Sequence, residues 1–232
     1  MTFRHFLITA LVALGFGFAG AALWQVAGFG DSRTKSYLLE NPEILPEMIA
    51  NLEKQQAQEK LTRLGGDVTE PFPGAVLGNP DGSVTLVEFT DYGCGYCRQS
   101  QSDVAALIAA NPELRVVIRE WPIFEGSDEA ARMALAAARQ GKFPAFHNAM
   151  FEGGQVSADS IARAAQVAGL DMAKAEAFVA SRDADFEIEK NRALASELAF
   201  TGTPSWVVGD RIIQGAVGQQ GLQEAITEAQ GS

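Results

Sequence analysis

The chain opens on an apolar run that shows neither of the two regular periods. After Arg4 and His5, apolar side chains extend from Phe6 to Ala22, and Thr9 and Gln25 alone interrupt that character as far as Phe29. A terminal segment that is basic at one end and lacks an amphipathic stripe reads as an export leader, with Ala19, Gly20, Ala21 and Ala22 as small residues suited to cleavage. Because about 20 apolar residues suffice to cross a bilayer, the same segment also reads as an anchor retained over residues 6–29. Either way residues 1–30 are signal peptide or membrane anchor. The remainder is then periplasmic or otherwise extracytoplasmic, soluble after cleavage or held at the membrane.

The pattern changes after Ser32. Residues 32–64 read as helix, with Asn41 and Pro42 as cap and first residue of a second helical segment and Gly65-Gly66 as its end. Leu45, Met48, Ile49 and Leu52 recur at i, i+3, i+4, i+7 and form one apolar stripe, while Glu53, Lys54, Gln55, Gln56 and Gln58 face water. Such a stripe needs a partner surface. From Asp67 to Ser83 the turn formers Pro71, Pro73, Gly74, Gly78, Asn79, Pro80 and Gly82 predict a linker. We accordingly expect a helical arm over 31–66 and a second domain over 67–232.

Within that domain the run from Val84 to Phe89 is short, β-branched and apolar; a helix from about Cys97 to Ala110 and a second strand from Leu114 to Glu120 follow. Strand, helix and strand make a βαβ unit, whose parallel strands place a site at their carboxyl ends. Residues about 125–200 read as a helical insertion, with Ser127, Ser157 and Asp171 as caps. Strand character returns at Ser205–Val208 and Arg211–Gln214 around a Gly209-Asp210 turn, and Gln219 to Gln230 closes the domain as a helix. The fold class predicted is α/β, one sheet split around a helical insert and preceded by a helical arm.

Composition narrows the function. The net charge of -11 argues against nucleic acid as a partner, because phosphate binding needs clustered Lys and Arg. Two cysteines and two histidines make up the soft ligands, too few for a zinc site of about four ligands in one chain, and we expect no metal and no cofactor. Cys94 and Cys97, three positions apart, give no structural disulfide framework and call for a chemical explanation. A Cys-x-x-Cys at the start of a helix supplies a thiolate stabilised by unpaired N–H groups and the helix dipole, and a second thiol one turn on to resolve the mixed disulfide. Gly95 and Tyr96 carry no positive charge, which predicts a disulfide of moderate oxidising power. The papain-type cysteine run fails at Arg98, where an aromatic is required. Glu88, six residues before Cys94 in an apolar strand, reads either as a proton carrier for Cys97 or as a solvent-facing strand residue. His147, among Phe143, Phe146 and Phe151, reads as a packed helix residue. Thr203-Pro204 opens a strand, and the spacing leaves its isomer open.

The run from Val87 to Cys97, the helical insertion and Gly202-Thr203-Pro204 before a strand together resemble the DsbA-like branch of the thioredoxin superfamily, from about Pro71 to the C-terminus. That resemblance implies a thioredoxin fold and thiol-disulfide exchange. It implies Cys94 as nucleophile, Cys97 as resolving cysteine, Glu88 as the buried acid serving Cys97, and Pro204 as a cis-proline that binds substrate backbone with Thr203 before it. Strongly oxidising members carry Pro-His where this chain has Gly95-Tyr96, and Thr before the cis-proline is more typical of isomerase and reductase members. Residues 37–45 resemble the N-terminal helices of ScsC-like members, which implies homo-oligomerisation through residues 31–64. The partners expected are exported client proteins with thiols or disulfides, and a membrane redox partner that re-oxidises or reduces the enzyme. The alternative function is a copper-binding envelope protein using the cysteine pair as Cu(I) ligands.

Overall fold

The computed structural model describes residues 3–26 and 29–231, with the side chains at 3, 4, 6–8, 22, 25, 26 and 29–32 outside the description. The chain forms two compact units, Met1–Glu53 and Lys54–Ser232.

The first unit holds helix α1 (Phe3–Val26), α2 (Phe29–Glu40), a 3-10 turn at Pro42–Ile44 and the start of α3 (Leu45–Leu64). The leader or anchor expected over 1–30 thus falls partly outside the described residues. Among the described residues no helix is long and apolar enough to cross a membrane. Asn41 occupies the expected cap position of the segment after it but makes no side-chain cap bond there. Its amide donates instead to the Tyr37 carbonyl at 2.8 Å and closes α2, while Pro42 takes the first position of the 3-10 turn. The predicted stripe is on the surface, with Leu45, Met48, Ile49 and Leu52 all exposed.

The second unit begins inside α3, before the expected start at 67. Ala57 is buried and Leu61 and Leu64 pack on a cluster around Phe89, Val117 and Leu198. Lys54 and Gln58 both reach Asp210, at 3.2 and 2.8 Å.

Five strands form the sheet: β1 (Val76–Gly78), β2 (Val84–Thr90), β3 (Leu114–Glu120), β4 (Ser205–Val208) and β5 (Arg211–Gln214), in the order β1-β3-β2-β4-β5. β2 and β3 run parallel, as the βαβ pattern predicts, and the other three neighbouring pairs are antiparallel. The segment expected to be pure linker therefore contains an edge strand. Three residues set among prolines and glycines show no period to read, and β1 exists through its pairing with β3. Between β2 and β3 lies α4 (Gly95–Ala110), and the insertion is five helices: α5 (Ser127–Arg139), α6 (Phe143–Glu152), α7 (Ala158–Ala168), α8 (Met172–Val179) and α9 (Arg182–Glu197). α10 (Gly218–Gln230) closes the chain. Ser157 and Asp171 cap their helices through side-chain bonds from the N–H groups of Ser160 and Lys174. Ser127 does not; the cap position is Gly126, at φ 82°, and the buried Ser127 hydroxyl serves the cysteine loop.

Alternation along the strands divides the core. Leu86, Val116, Ile118, Trp206 and Val208 join Cys94 and Cys97 in one cluster beneath α4, α10 and the insertion, whereas Val87, Phe89, Val117 and Val207 face α3 and the end of α9. Glu88, Thr90 and Glu120, which alternate with the second set, lie on the cysteine side. Arg119 lies opposite. It is fully buried, paired with Glu187 at 3.1 Å and donating to the carbonyls of Asp67, Val68 and Glu70. It thereby ties the strap before β1 to the sheet.

Candidate active site

Both cysteines sit where β2 turns into α4. Cys94 is the cap residue, extended at φ -81°, ψ 119°, and its carbonyl accepts the Arg98 N–H at 3.1 Å. As at any helix start, the first N–H groups, those of Gly95, Tyr96 and Cys97, have no carbonyl partner within the helix. Arg98 fixes this helix start by donating to the carbonyls of Phe151, at 2.9 Å, and Gly154. Gly95 and Tyr96 lie at the surface, with Tyr96 66% exposed and open space where a Cβ on Gly95 would stand.

Cys94 is more covered than a lone exposed nucleophile would be, at 2% exposure against 0% for Cys97. The cause is the loop ahead of β4. The Thr203–Pro204 peptide bond is cis, and the Cys94 thiol donates to the Thr203 carbonyl at 3.2 Å. Pro204's own carbonyl accepts the Gly215 N–H at 2.8 Å, holding the loop to the strand beyond. Ahead of the cysteines, Asp91 accepts N–H bonds from Gly93, Ile123 and Phe124 at 2.7, 2.6 and 2.9 Å. Gly93 itself is crowded. A Cβ there would stand 2.7 Å from the Ser127 hydroxyl and 2.9 Å from the Phe124 side chain.

Glu88 is fully buried rather than solvent-facing, and neither carboxylate oxygen has a hydrogen-bond partner. Burial pushes its carboxyl up to about 8, with the adjacent Thr90 hydroxyl acting in the opposite sense. Burial also raises the Cys97 thiol well above its ordinary range, and the Glu88 charge adds to that. The Thr90 and Thr203 hydroxyls counteract it by favouring the thiolate. A carboxyl of this kind can hold a proton near neutral pH and exchange it with a neighbouring thiol.

A second polar cluster borders the first. Tyr92 donates to Glu120 at 2.8 Å, and its oxygen lies 3.0 Å from Nδ1 of His147. Since the phenol has one proton, His147 completes the set as the Nδ1–H tautomer, donating to Tyr92. All three residues are buried. Burial lowers His147 to about 3 and raises Glu120, the latter reinforced by Asp91 and Glu88. His147 is the packed residue expected, in ring contact with Phe143 and Phe151, and it is also hydrogen-bonded to the loop before Cys94.

Cys94, Cys97, Glu88, Thr203 and Pro204 thus come together, with Gly95 and Tyr96 at the rim. Thr90, Asp91, Tyr92, Glu120 and Ser127 were missed from the sequence. Thr90 had a readable signal, since it stands two residues after Glu88 on one strand and must share its face; Glu120 becomes visible only through its register opposite Thr90.

Residues 85–227 match the family model of the DSBA-like thioredoxin domain, and residues 35–59 match that of the copper resistance protein ScsC N-terminal domain. Among solved structures, a thioredoxin-like oxidoreductase from Silicibacter pomeroyi is 42% identical, covering 72% of this chain and 98% of its own at a TM-score of 0.68. A periplasmic thioredoxin-like protein from Salmonella enterica serovar Typhimurium is 29% identical, covering 72% and 95% at a TM-score of 0.64. The thiol-disulfide exchange protein alpha-DsbA2 from Wolbachia pipientis is 26% identical, covering 75% and 96% at a TM-score of 0.68. The chain spans about a quarter of the length of the curated relatives it matches, such as a Na(+)/H(+) antiporter NhaA of Salinispora tropica, 28% identical over 164 residues.

Proposed function

The chain belongs to the DSBA-like thioredoxin-domain family, and from that premise we propose that this thiol-disulfide oxidoreductase works on exported clients in the isomerase and reductase direction. The observation that carries the direction is the Cys94 thiol donating to the Thr203 carbonyl, beside a dipeptide without a cation. A site that hydrogen-bonds the protonated thiol adds less to thiolate stability than one that aims charged donors at the sulfur. Its disulfide is correspondingly less oxidising.

In the catalytic cycle the Cys94 thiolate attacks one sulfur of a client disulfide, a Cys94–client bond forms, and the other client sulfur leaves as thiolate. Cys97, losing its proton towards Glu88, then attacks the Cys94 sulfur and expels the client, which has gained two electrons while the enzyme becomes the disulfide. In isomerisation a client thiol displaces Cys94 instead, and no net electrons move. Thr203 and Pro204 bind the client backbone beside Cys94, and Gly95 and Tyr96 form the rim it passes. A membrane dithiol partner returns the enzyme to its reduced state. Trapping the resting thiols by alkylation in intact envelopes tests this: a mostly reduced pool is expected, and a fully oxidised one would establish an oxidase.

The copper-binding alternative is not favoured, because residues 85–227 match the DSBA-like thioredoxin domain and the solved neighbours include a thioredoxin-like oxidoreductase and a thiol-disulfide exchange protein. An extracytoplasmic site of action is supported by the apolar leader and by the periplasmic Salmonella neighbour. The division we propose is a leader or anchor over 1–30, an arm over 31–66 whose last turns from Lys54 pack on the second unit, and a catalytic domain over 67–232. The arm assembles copies of the chain through Leu45, Met48, Ile49 and Leu52, in support of which the stripe is exposed and residues 35–59 match the ScsC N-terminal model. Light scattering of a leader-less protein should give a multiple of the chain mass, reduced to one copy by Leu45→Glu with Ile49→Glu. A single copy in the unsubstituted protein would sink the assembly.

A further inference from the structure

We propose that the Thr90 hydroxyl is the bridge by which the resolving thiol of Cys97 passes its proton to Glu88. The inference rests on the exchange reading of the site and deepens it by naming a residue between acid and thiol.

Glu88 and Thr90 are two apart on β2, so their side chains leave the same face of the sheet, and that face carries the core cluster containing Cys97. Every group concerned is buried: Glu88, Thr90 and Cys97 are each 0% exposed. Buried hydroxyls and carboxylates are ordinarily hydrogen-bonded, yet neither Glu88 oxygen nor the Thr90 hydroxyl has a hydrogen-bond partner in the resting site, which leaves all three free to form the relay when Cys97 reacts. From its place on that face the Thr90 hydroxyl favours the charged form of Glu88 and of Cys97 alike. Thr203 also has an orphaned hydroxyl that favours the Cys97 thiolate, but it does not act on Glu88. Trp206, which sits across from Glu88 on β4, commits its indole N–H to the Gly215 carbonyl at 2.9 Å. Thr90 is therefore the buried, unpartnered hydroxyl on the strand face that carries Glu88 and faces the Cys97 cluster.

A hydroxyl suits this task because it accepts one proton while donating another. As Cys97 attacks the mixed disulfide, its thiol proton passes to the Thr90 oxygen and the Thr90 proton passes to an ionised Glu88 oxygen. The Cys94–Cys97 bond forms as the Cys94–client bond breaks, and the client sulfur departs as thiolate with the electron pair. Threonine is regenerated unchanged. The ionisable groups facing this pocket are Glu88, Asp91 and Tyr92 on β2 and its following loop, Glu120 on β3, His147 on α6 through Tyr92, and Cys94 and Cys97 on α4. Burial, together with their charges, sets the pH at which Glu88 begins to accept protons. Removal of the bridging hydroxyl abolishes that dependence.

The test uses the full chain loaded with glutathione as a mixed disulfide on Cys94, following release of glutathione in stopped flow from pH 5 to 9.5. Proton transfer by a positioned group contributes about a hundredfold or more, so Thr90→Val should slow release at least tenfold at pH 8 and flatten its rise with pH. Thr90→Ser, which keeps the hydroxyl, should stay within threefold of the native rate. The initial reaction of Cys94 with glutathione disulfide should stay within twofold in both. Native release in Thr90→Val, or equal slowing by serine and valine, overturns the bridge. In the unsubstituted protein, rates in mixed light and heavy water should curve as two protons in flight require, and a linear plot overturns the proposal even if Thr90→Val fails to fold. A slow Glu88→Gln with a normal Thr90→Val rejects the bridge and keeps the acid. Native release in Glu88→Gln rejects the acid itself.

Discussion

Serine at Cys94 is expected to abolish exchange altogether, while alanine at Cys97 leaves attack intact and strands the enzyme on its client. The first effect follows because a hydroxyl at this position ionises far above neutral pH and cannot replace the thiolate as nucleophile. The second follows because only a thiol one helical turn away can displace the client sulfur from Cys94 without outside help. Cys94 is the cap residue and donates to the Thr203 carbonyl of the loop before β4, whereas Cys97 lies within the helix with no exposed surface. Non-reducing gels of Cys97→Ala with a scrambled disulfide-bonded client should show a persistent adduct that dithiothreitol removes; Cys94→Ser should show none and should not reduce insulin. An adduct formed by Cys94→Ser, or insulin turnover by it, would reassign the nucleophile.

Glutamine at Glu88 should stabilise the fold at alkaline pH, and not at acid pH. The folded carboxyl titrates at about 8 rather than 4.5 because it is buried. Below the unfolded value both states hold the proton, so the native side chain costs little there. As pH rises through the window between the two values, the unfolded chain releases its proton first and stability falls. The cost reaches about 5 kcal/mol above the upper value, taken as an upper bound. Glu120 is raised by burial as well, so glutamine at 88 flattens part of the alkaline decline. His147 acts in the other direction, since its folded value near 3 costs stability as pH falls below about 6.5. Urea denaturation at pH 4.5 and pH 8.5 checks this. Several kcal/mol gained at the higher pH with almost none at the lower is the expected result, and an equal gain at both would mean that Glu88 does not titrate in this range.

Much of the framework was legible in advance. β3, β4 and β5 have the predicted residues, and β2 runs one residue further, because their β-branched runs are bounded by turn formers and fit no helical period. The cysteine pair announced itself through spacing and position. Ser127 was misread, since serine before an alanine-rich helix has the composition of a cap, while its actual partner is Gly93 on a distant loop. The short strand β1 was hidden for a related reason, as an edge of three residues owes its extended form to the partner beside it. The division of the arm was equally invisible, because nothing local separates the exposed Leu52 from the buried Ala57.

The residues alone determined the α/β order of elements, the split of the sheet around a helical insert, and which two sulfurs can react, because strand period, turn chemistry and Cys-x-x-Cys spacing are local properties of a chain. Only the tertiary structure decided that Glu88 is enclosed and that Glu120, Tyr92 and His147 meet. Those last three come from segments tens of residues apart, and their protonation, like that of Glu88, depends on how completely the rest of the fold removes them from water.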